Sequence, residues 1–330
     1  MTCIGSAMLS AVRLHKQFRL TAPATKGAAL TALDEVSIEL AKGETLGIAG
    51  ESGCGKSTLA KILAGLMPPD RGEVCYQGTP LAGLSREEHR RFRRTTQMIF
   101  QDPFSSLNPR MRVADIIAEP LVISGMSSDA VRSSVNRLMG TVGLSPDLAQ
   151  RFPDEFSGGQ RQRIGIARAL AAAPRILIAD EPVSSLDISI QAQIINLLQE
   201  MKREFELSLI IVSHNLSVLQ HMCDRVVIMY LGIIVEQAPA ASLFSQCRHP
   251  YTEALIAAVP KISVDNRPAP VILTDDLPSP LAIPSGCRFH PRCRHAGEIC
   301  RKEVPELREI YPGHTSACHY AEKIFPARSN

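Results

Sequence analysis

The sequence contains no tryptophan, and aromatic residues make up only 5% of its 330 residues. It also has no apolar run close to the roughly 18 residues that a membrane-spanning helix needs. Its N-terminus lacks a basic segment followed by a long apolar run, which is the pattern of a signal peptide. We therefore expect a chain that stays in the cytoplasm. It would reach a membrane only by binding a protein embedded there.

Charge of one sign is also scarce, because 36 Lys and Arg residues face 33 Asp and Glu residues for a net charge of +3. This balance is too weak to indicate binding to nucleic acid, and we expect no such partner. The hydrophobic fraction of 45% is that of an ordinary globular protein. The length allows one large domain or two smaller ones.

Short apolar strands alternate with helical segments along the first 245 residues. The pattern predicts buried strands at 44–49, 96–100, 176–179 and 207–212, and helices at 57–66, 157–172 and 188–205. Because several of these strands are apolar on both faces, the prediction is an α/β fold with a parallel sheet covered by helices on both sides. Residues 102–156 carry helical patterning with little strand signal, which predicts a helical insertion.

The first chemical motif lies at residues 50–57, between a predicted strand and a predicted helix, and fits G-x-x-x-x-G-K-[ST]. In such a loop the backbone N–H groups surround phosphate oxygens, Lys56 supplies charge to the β- and γ-phosphates, and Ser57 offers a hydroxyl to Mg²⁺. A glycine turn without a ligand is the alternative, and the strand and helix around the motif argue against it. The residues predicted to bind nucleotide here are Gly50, Glu51, Ser52, Gly53, Cys54, Gly55, Lys56, Ser57 and Thr58.

Two carboxylates, Asp180 and Glu181, follow the apolar strand at 176–179. Ligands of open α/β sheets bind at the carboxyl ends of the strands. We expect Asp180 to belong to the Mg²⁺ shell and Glu181 to polarise the attacking water as a general base. A helix-capping acid at a strand end is the alternative, and the phosphate motif in the same chain favours the catalytic interpretation.

Residues 157–160, Ser157-Gly158-Gly159-Gln160, form a second candidate anion-binding loop. Ser157 is a good N-cap, and the two glycines leave the N–H groups of a helix start uncovered. One ATP does not need two such loops from one chain. The loop is therefore predicted to cap the γ-phosphate held by another protomer, with an ordinary capped helix as the alternative.

Gln101 and His214 also follow apolar strands. Gln101 is placed to sense Mg²⁺ or the attacking water, and His214 to contact the γ-phosphate. A single Gln or His at a strand end is usually structural, so the catalytic interpretation depends on their places in this series of motifs.

The order of these motifs, together with residues 184–187, resembles the nucleotide-binding domain of ABC transporters over about residues 10–245. The resemblance implies a P-loop ATPase with a RecA-like core and a head-to-tail dimer that encloses two ATP molecules. It also implies that Phe18 stacks on adenine. The implied division is an ABC ATPase domain at 8–245, with a helical subdomain at about 102–156, and a C-terminal region at 246–330 with a Pro-rich linker and four clustered cysteines.

Residues 181–193, 249–255 and 286–293 are similar to the ATPases of oligopeptide and dipeptide permeases. This likeness implies an ATP hydrolase that energises import of di- or oligopeptides at the cytoplasmic face of the cell membrane. The implied partners are two transmembrane permease subunits, a second ABC ATPase subunit (a related chain or a second copy) and, indirectly, an extracytoplasmic binding protein. Nickel or another solute is the alternative substrate. A non-transport ABC ATPase acting on nucleic acid or ribosomes is a rival, but the chain lacks a second cassette or a long coiled-coil insertion.

Four of the nine cysteines, Cys287, Cys293, Cys300 and Cys318, crowd into one C-terminal stretch. In a reducing compartment this cluster indicates metal binding rather than disulfides. Its spacing is looser than that of most zinc sites, and the likeness to peptide permeases favours a [4Fe–4S] cluster, with zinc as the alternative. Inert buried thiols, or a metalloprotein that senses redox state, are the other interpretations. Nearby alternative ligands are His290, His295, His314 and His319.

Overall fold

The computed structural model describes residues 7–20, 27, 29–259, 279 and 281–326. Its strands are β1 Leu9–Arg19, β2 Ala29–Leu40, β3 Thr45–Ala49, β4 Arg71–Tyr76, β5 Thr79–Pro80, β6 Thr96–Ile99, β7 Ile176–Asp180, β8 Ser208–Val212, β9 Arg225–Tyr230, β10 Ile233–Pro239, β11 Arg308–Tyr311 and β12 His314–Ser316. Its α-helices are α1 Lys56–Leu63, α2 Arg86–Thr95, α3 Pro103–Ser106, α4 Val113–Ile123, α5 Ser128–Thr141, α6 Gly158–Ala171, α7 Ile188–Glu204, α8 Leu216–Met222, α9 Ala240–Ser245, α10 Pro250–Ala257, α11 Glu298–Lys302 and α12 Ala321–Ile324.

The central sheet has eight strands in the order β11-β12-β10-β9-β3-β8-β7-β6. Its five strands β9, β3, β8, β7 and β6 are parallel to one another, so their carboxyl ends meet at one edge. Every residue of β3, β7 and β8 is buried. Strands buried on both faces are typical of a parallel sheet covered by helices, and the predicted α/β fold is confirmed.

A second, antiparallel sheet has the order β2-β1-β4-β5. It packs on the core through an apolar cluster that includes Leu14, Leu33 and Ile48. Strand β2 begins at Ala29, and residues 21–26 and 28 lie outside the described part. Strand β4 was missed by the sequence pattern. It has only two fully buried residues, and its pairing with β1 brings it into the sheet.

Residues 102–156 hold α3, α4, α5 and two short 3-10 turns, with no strand in this fully described range. Helix α6 packs against α4 and α5. Apolar side chains of the three helices, Ile117, Leu138 and Ile166 among them, belong to one buried cluster with the central sheet. The helical patterning of this insertion therefore corresponds to a helical layer on the core.

The C-terminal segment, residues 281–326, contributes two strands to the central sheet. Strand β12 pairs with β10 through Glu236 and Ser316, and β11 pairs with β12. The sequence pattern predicted no strand in this segment, and backbone pairing joins it to the central sheet. Most of the predicted Pro-rich linker, at 260–278 and 280, lies outside the described residues.

Candidate active site

The phosphate loop, residues 50–57, leaves the buried end of β3 and enters α1. Gly50 has a φ of 149° and Gly55 a φ of 107°, a region that side chains rarely adopt. A Cβ on Gly50 would lie 2.3 Å from the carbonyl oxygen of Met229, and one on Gly55 would lie 2.2 Å from that of Ala32. Both positions therefore require glycine for the loop to close against its neighbours.

The ammonium group of Lys56 is held by the carbonyls at the start of the phosphate loop. Its Nζ donates to Gly50 O at 2.8 Å and to Glu51 O at 2.9 Å, and the side chain is buried. Burial raises the pKa of the nearby Cys54 thiol above its usual value, so this cysteine stays protonated.

Ser57 and Asp180 meet where the phosphate loop faces the end of β7. Ser57 Oγ donates to Asp180 Oδ1 at 3.0 Å. The pKa of Asp180 is raised above its usual value, mainly because the side chain is buried. The hydrogen bond from Ser57 partly offsets this rise, and the charge of the neighbouring Glu181 adds to it. Magnesium is usually bound through one or two protein oxygens and the substrate phosphates. A hydroxyl beside a carboxylate at this position is a donor set that fits Mg²⁺ bound with ATP.

The three predicted catalytic residues meet at one carboxylate oxygen. Glu181 Oε2 accepts from Gln101 Nε2 at 3.1 Å and lies 3.2 Å from His214 Nδ1. Glu181 adopts a positive φ of 45°, and its N–H donates to Val212 O at 2.9 Å. These residues follow β6, β7 and β8, which are adjacent parallel strands, and this adjacency brings the three side chains together.

The signature loop, residues 157–160, caps the start of α6. Gln160 N donates to Ser157 Oγ at 3.3 Å, and Ser157 N donates to Gln160 Oε1 at 3.0 Å, a capping box. A Cβ on Gly159 would lie 2.6 Å from Ile190 Cγ2 on α7, and one on Gly158 would lie 3.2 Å from Leu186 Cδ2. Among the described residues, no hydrogen bond joins this loop to the phosphate loop of the same chain.

The remaining predicted nucleotide contacts lie on the elements around the phosphate loop. Thr58 is half-buried in the first turn of α1, and Ser52 and Gly53 are exposed in the loop. Phe18 lies on β1 opposite Leu30, half-buried. Its stacking on adenine stays a prediction.

The sequence reasoning missed two residues that contact the phosphate loop from outside the predicted motifs. The hydroxyl of Tyr251 accepts a hydrogen bond from Glu51 N at 2.9 Å, and Arg292 forms a two-pronged ion pair with the Glu51 carboxylate. Both lie in stretches used only for the family resemblance. Nothing in the sequence pattern associates them with the loop.

The four clustered cysteines line one small cavity together with His290, His295 and His319. Burial raises the pKa of Cys287 to about 11 and that of Cys318 to about 12. However, no group of three or more His, Cys, Asp or Glu side chains in the described part of the chain is arranged to hold a metal ion. The predicted iron–sulfur or zinc site is therefore not supported. His314, one of the alternative ligands, is instead paired with buried Glu236 at 2.7 Å.

Comparison with known protein families agrees with this geometry. Residues 33–184 match the family described as ABC transporter, and residues 235–300 match the family described as oligopeptide/dipeptide transporter, C-terminal region.

No helix of the described residues combines the length and apolar character needed to cross a membrane.

Two curated relatives are similar over nearly the whole chain. The di/tripeptide transport ATP-binding protein DppF of Pseudomonas aeruginosa is 45% identical over 96% of this chain and 98% of its own length. The probable peptide ABC transporter ATP-binding protein y4tS of Sinorhizobium fredii is 48% identical over 96% of this chain and 90% of its own length. The chain belongs to the family of ABC transporter ATP-binding proteins.

Solved structures of ATP-binding cassettes share the fold. The dimeric cassette MJ0796 bound to ADP and Pi has a TM-score of 0.64 and 27% identity, over 71% of this chain and 99% of that one. CbiO1 of Clostridium perfringens, part of an ABC transporter complex, has a TM-score of 0.62 and 27% identity, over 73% of this chain and 91% of that one. The family and these cassettes confirm the predicted ATP hydrolase class and RecA-like fold.

Proposed function

We propose that this chain hydrolyses ATP to energise the import of di- or oligopeptides through a membrane ABC permease. The observation that carries the enzymatic part is the meeting of Gln101, Glu181 and His214 at one carboxylate oxygen, on the sheet edge that also holds Ser57 and Asp180. The substrate class is supported by the C-terminal region match and by relatives named for peptide transport.

In the proposed reaction, the phosphate loop and Lys56 hold the β- and γ-phosphates of ATP. Ser57 and Asp180 would hold Mg²⁺, which would neutralise charge on the transferring phosphoryl group. Glu181 orients a water for in-line attack and accepts its proton. Its carboxylate lies beside His214, because the strands that precede these two residues are neighbours in the sheet. Gln101 and His214 keep this carboxylate in place through Oε2.

The signature loop is proposed to act on the ATP of a second ATPase subunit. Its serine is exposed, and its two glycines carry no side chain that would cover the N–H groups at the start of the helix. The similar cassette MJ0796 is described as a dimer. A helix N-terminus with these features favours an anion. Either a second copy or a related chain fits the second position.

The permease contact is proposed to begin at the helical insertion. Phe104 in α3 is 58% exposed and lies three residues after Gln101, at the entry to the insertion. When the ATPase dimer closes around ATP, a movement of Gln101 would therefore be passed to the exposed apolar side chain of Phe104. We propose two transmembrane permease subunits as the partners, an extracytoplasmic binding protein upstream of them, and a location at the cytoplasmic face of the membrane.

The division into an ATPase domain at 8–245 and a C-terminal region at 246–330 is also proposed. The helical subdomain would cover about 102–156. The separate family matches at 33–184 and 235–300 support this division into two regions.

Peptide uptake tests the proposed function. In cells that lack this chain, we expect the native protein to restore uptake of a labelled dipeptide, and Glu181→Gln to fail because ATP hydrolysis drives the transport. The measurement is accumulated label per cell, with labelled nickel ions as the competing substrate. Restored nickel uptake without peptide uptake would replace the substrate class. Native protein that hydrolyses ATP but restores neither would favour a role outside transport.

Metal analysis tests whether the four cysteines that line one cavity hold a metal at all. After anaerobic purification, a [4Fe–4S] cluster predicts about four iron and four sulfide per chain, lost in Cys287→Ser. Cys247→Ser is the matched control, because Cys247 is a free cysteine that does not line the cavity. Zinc in place of iron would change the cofactor, and no metal would leave four reduced thiols.

A further inference from the structure

All three polar groups of Glu51, the second residue of the phosphate loop, are bound by other residues. Its carbonyl accepts from Lys56 Nζ at 2.9 Å, and its N–H donates to the Tyr251 hydroxyl at 2.9 Å. Its carboxylate accepts from Arg292 Nη1 at 2.7 Å and from Arg292 Nη2 at 2.9 Å. Tyr251 lies in α10 and Arg292 in the C-terminal segment, so two of these partners come from outside the ATPase motifs.

Arg292 is held firmly at the place from which it reaches the phosphate loop. Its side chain is only 5% exposed, and its N–H donates to Phe289 O at 3.0 Å in a short 3-10 turn. The ring of Phe289 packs against Tyr230 and Tyr251, with centroids 5.4 Å away in each case. A planar guanidinium in two-pronged contact with a carboxylate fixes both distance and orientation.

The charge of Arg292 also matters to an anionic ligand. A carboxylate on the phosphate loop repels the phosphates of ATP, and the repulsion grows when water is excluded from between them. Arg292 neutralises that carboxylate. Because the Glu51 carbonyl is one of the two acceptors that hold Lys56, a displaced Glu51 would also shift the lysine that meets the phosphates.

We propose that Arg292 is a positioning residue for ATP binding, and that the C-terminal segment sets the ATP affinity of the phosphate loop through the Arg292–Glu51 ion pair. The inference rests on the proposed ATP-binding role of that loop. The C-terminal segment would then act on ATP binding itself, and this role is separate from any metal bound by its cysteines and from contact with the permease. The position of residues 290–293 then determines nucleotide affinity, while the hydrolytic residues stay as they are.

The test uses the full chain and a fluorescent ATP analogue with Mg²⁺, titrated at equilibrium. We expect Arg292→Gln to raise the Kd about tenfold and the KM for ATP in parallel, with kcat at saturating ATP within about twofold of native. Arg292→Lys keeps the charge but loses the fork, so its Kd should rise only about threefold. A lowered kcat with unchanged KM would overturn the proposal.

A second substitution separates the charge effect from a general loss of structure. Adding Glu51→Gln to Arg292→Gln removes the unpaired carboxylate, and we expect the double variant to bind the analogue at least threefold more tightly than Arg292→Gln alone. No gain in affinity would overturn the proposed neutralisation. If Arg292→Gln does not fold, the uncharged variant Arg292→Met, with and without Glu51→Gln, decides the same question.

Arg294 provides the matched control. It lies two residues further along and pairs with Glu253 through Nη2, at 3.1 and 3.0 Å, but its side chain is 54% exposed. In the described part of the chain, neither side chain of this pair hydrogen-bonds to the phosphate loop. Arg294→Gln should leave the Kd within twofold of native. An equal loss of affinity in both variants, or no loss in Arg292→Gln, would overturn the inference. A native chain that does not bind the analogue would instead contradict the proposed function.

Discussion

Glu181→Gln is expected to lower the ATPase rate at saturating ATP by about 100-fold or more, since a positioned general base contributes roughly 10²–10⁴ to a rate. ATP affinity should stay within a few-fold of native. The glutamine can still place an oxygen between Gln101 Nε2 and His214 Nδ1, which lie 3.1 and 3.2 Å from the native carboxylate oxygen. Phosphate release under multiple turnover measures the rate, and titration with a fluorescent ATP analogue measures the affinity.

Glu204→Gln is the control for the loss of one carboxylate, because Glu204 is exposed at the end of α7. It should hydrolyse ATP at the native rate. A Glu181→Gln variant with a rate within threefold of native would show that another group takes the proton, and the mechanism proposed for the Gln101, Glu181 and His214 group would then be wrong.

Lys56→Ala is expected to weaken ATP binding by about 100-fold or more. The substitution removes the positive charge that is proposed to hold the β- and γ-phosphates. Among the described residues, Lys56 is the only side-chain cation bound to the carbonyls of Gly50 and Glu51. Binding to the folded state alone stabilises a protein by about 2.7 kcal/mol when the ligand is at 100 times its Kd. The native chain should show this rise in thermal stability with Mg²⁺ and ATP, and Lys56→Ala should show almost none.

Thermal unfolding without nucleotide is the control for folding of Lys56→Ala, and Lys42→Ala is the matched substitution. Lys42 is exposed in the turn before β3. We expect Lys42→Ala to keep the full stabilisation by ATP. An undiminished stabilisation in Lys56→Ala would mean that the phosphate loop does not hold the nucleotide through this lysine.

Much of the site could be predicted because its signals are local. The phosphate loop is contiguous, and the glycines at 50 and 55 are required by backbone angles and by carbonyls about 2 Å from a would-be Cβ. Gln101, Glu181 and His214 are far apart in the chain, but each follows an apolar strand. Parallel strands present their carboxyl ends at one edge, so their meeting was predictable once those strands were recognised.

Other features could not be predicted because their partners are distant and their local pattern is ordinary. Strand β4 carries few buried residues, and its pairing with β1 defines it. Strand β12 has three residues, too few for a periodic signal, and becomes part of the central sheet only through β10. The cysteine spacing indicated a metal, yet the four thiols line a cavity without an arranged ligand group among the described residues.

The sequence by itself determined the α/β fold class, the phosphate loop and the order of the residues proposed to be catalytic, because these depend on hydrophobic periodicity and on short contiguous motifs. Only the tertiary structure decided that the C-terminal segment joins the central sheet and that Arg292 reaches Glu51 across 241 positions of the chain. An ion pair of this kind leaves no periodic trace in the sequence. It exists because packing of Phe289 against two tyrosines brings one arginine to the phosphate loop.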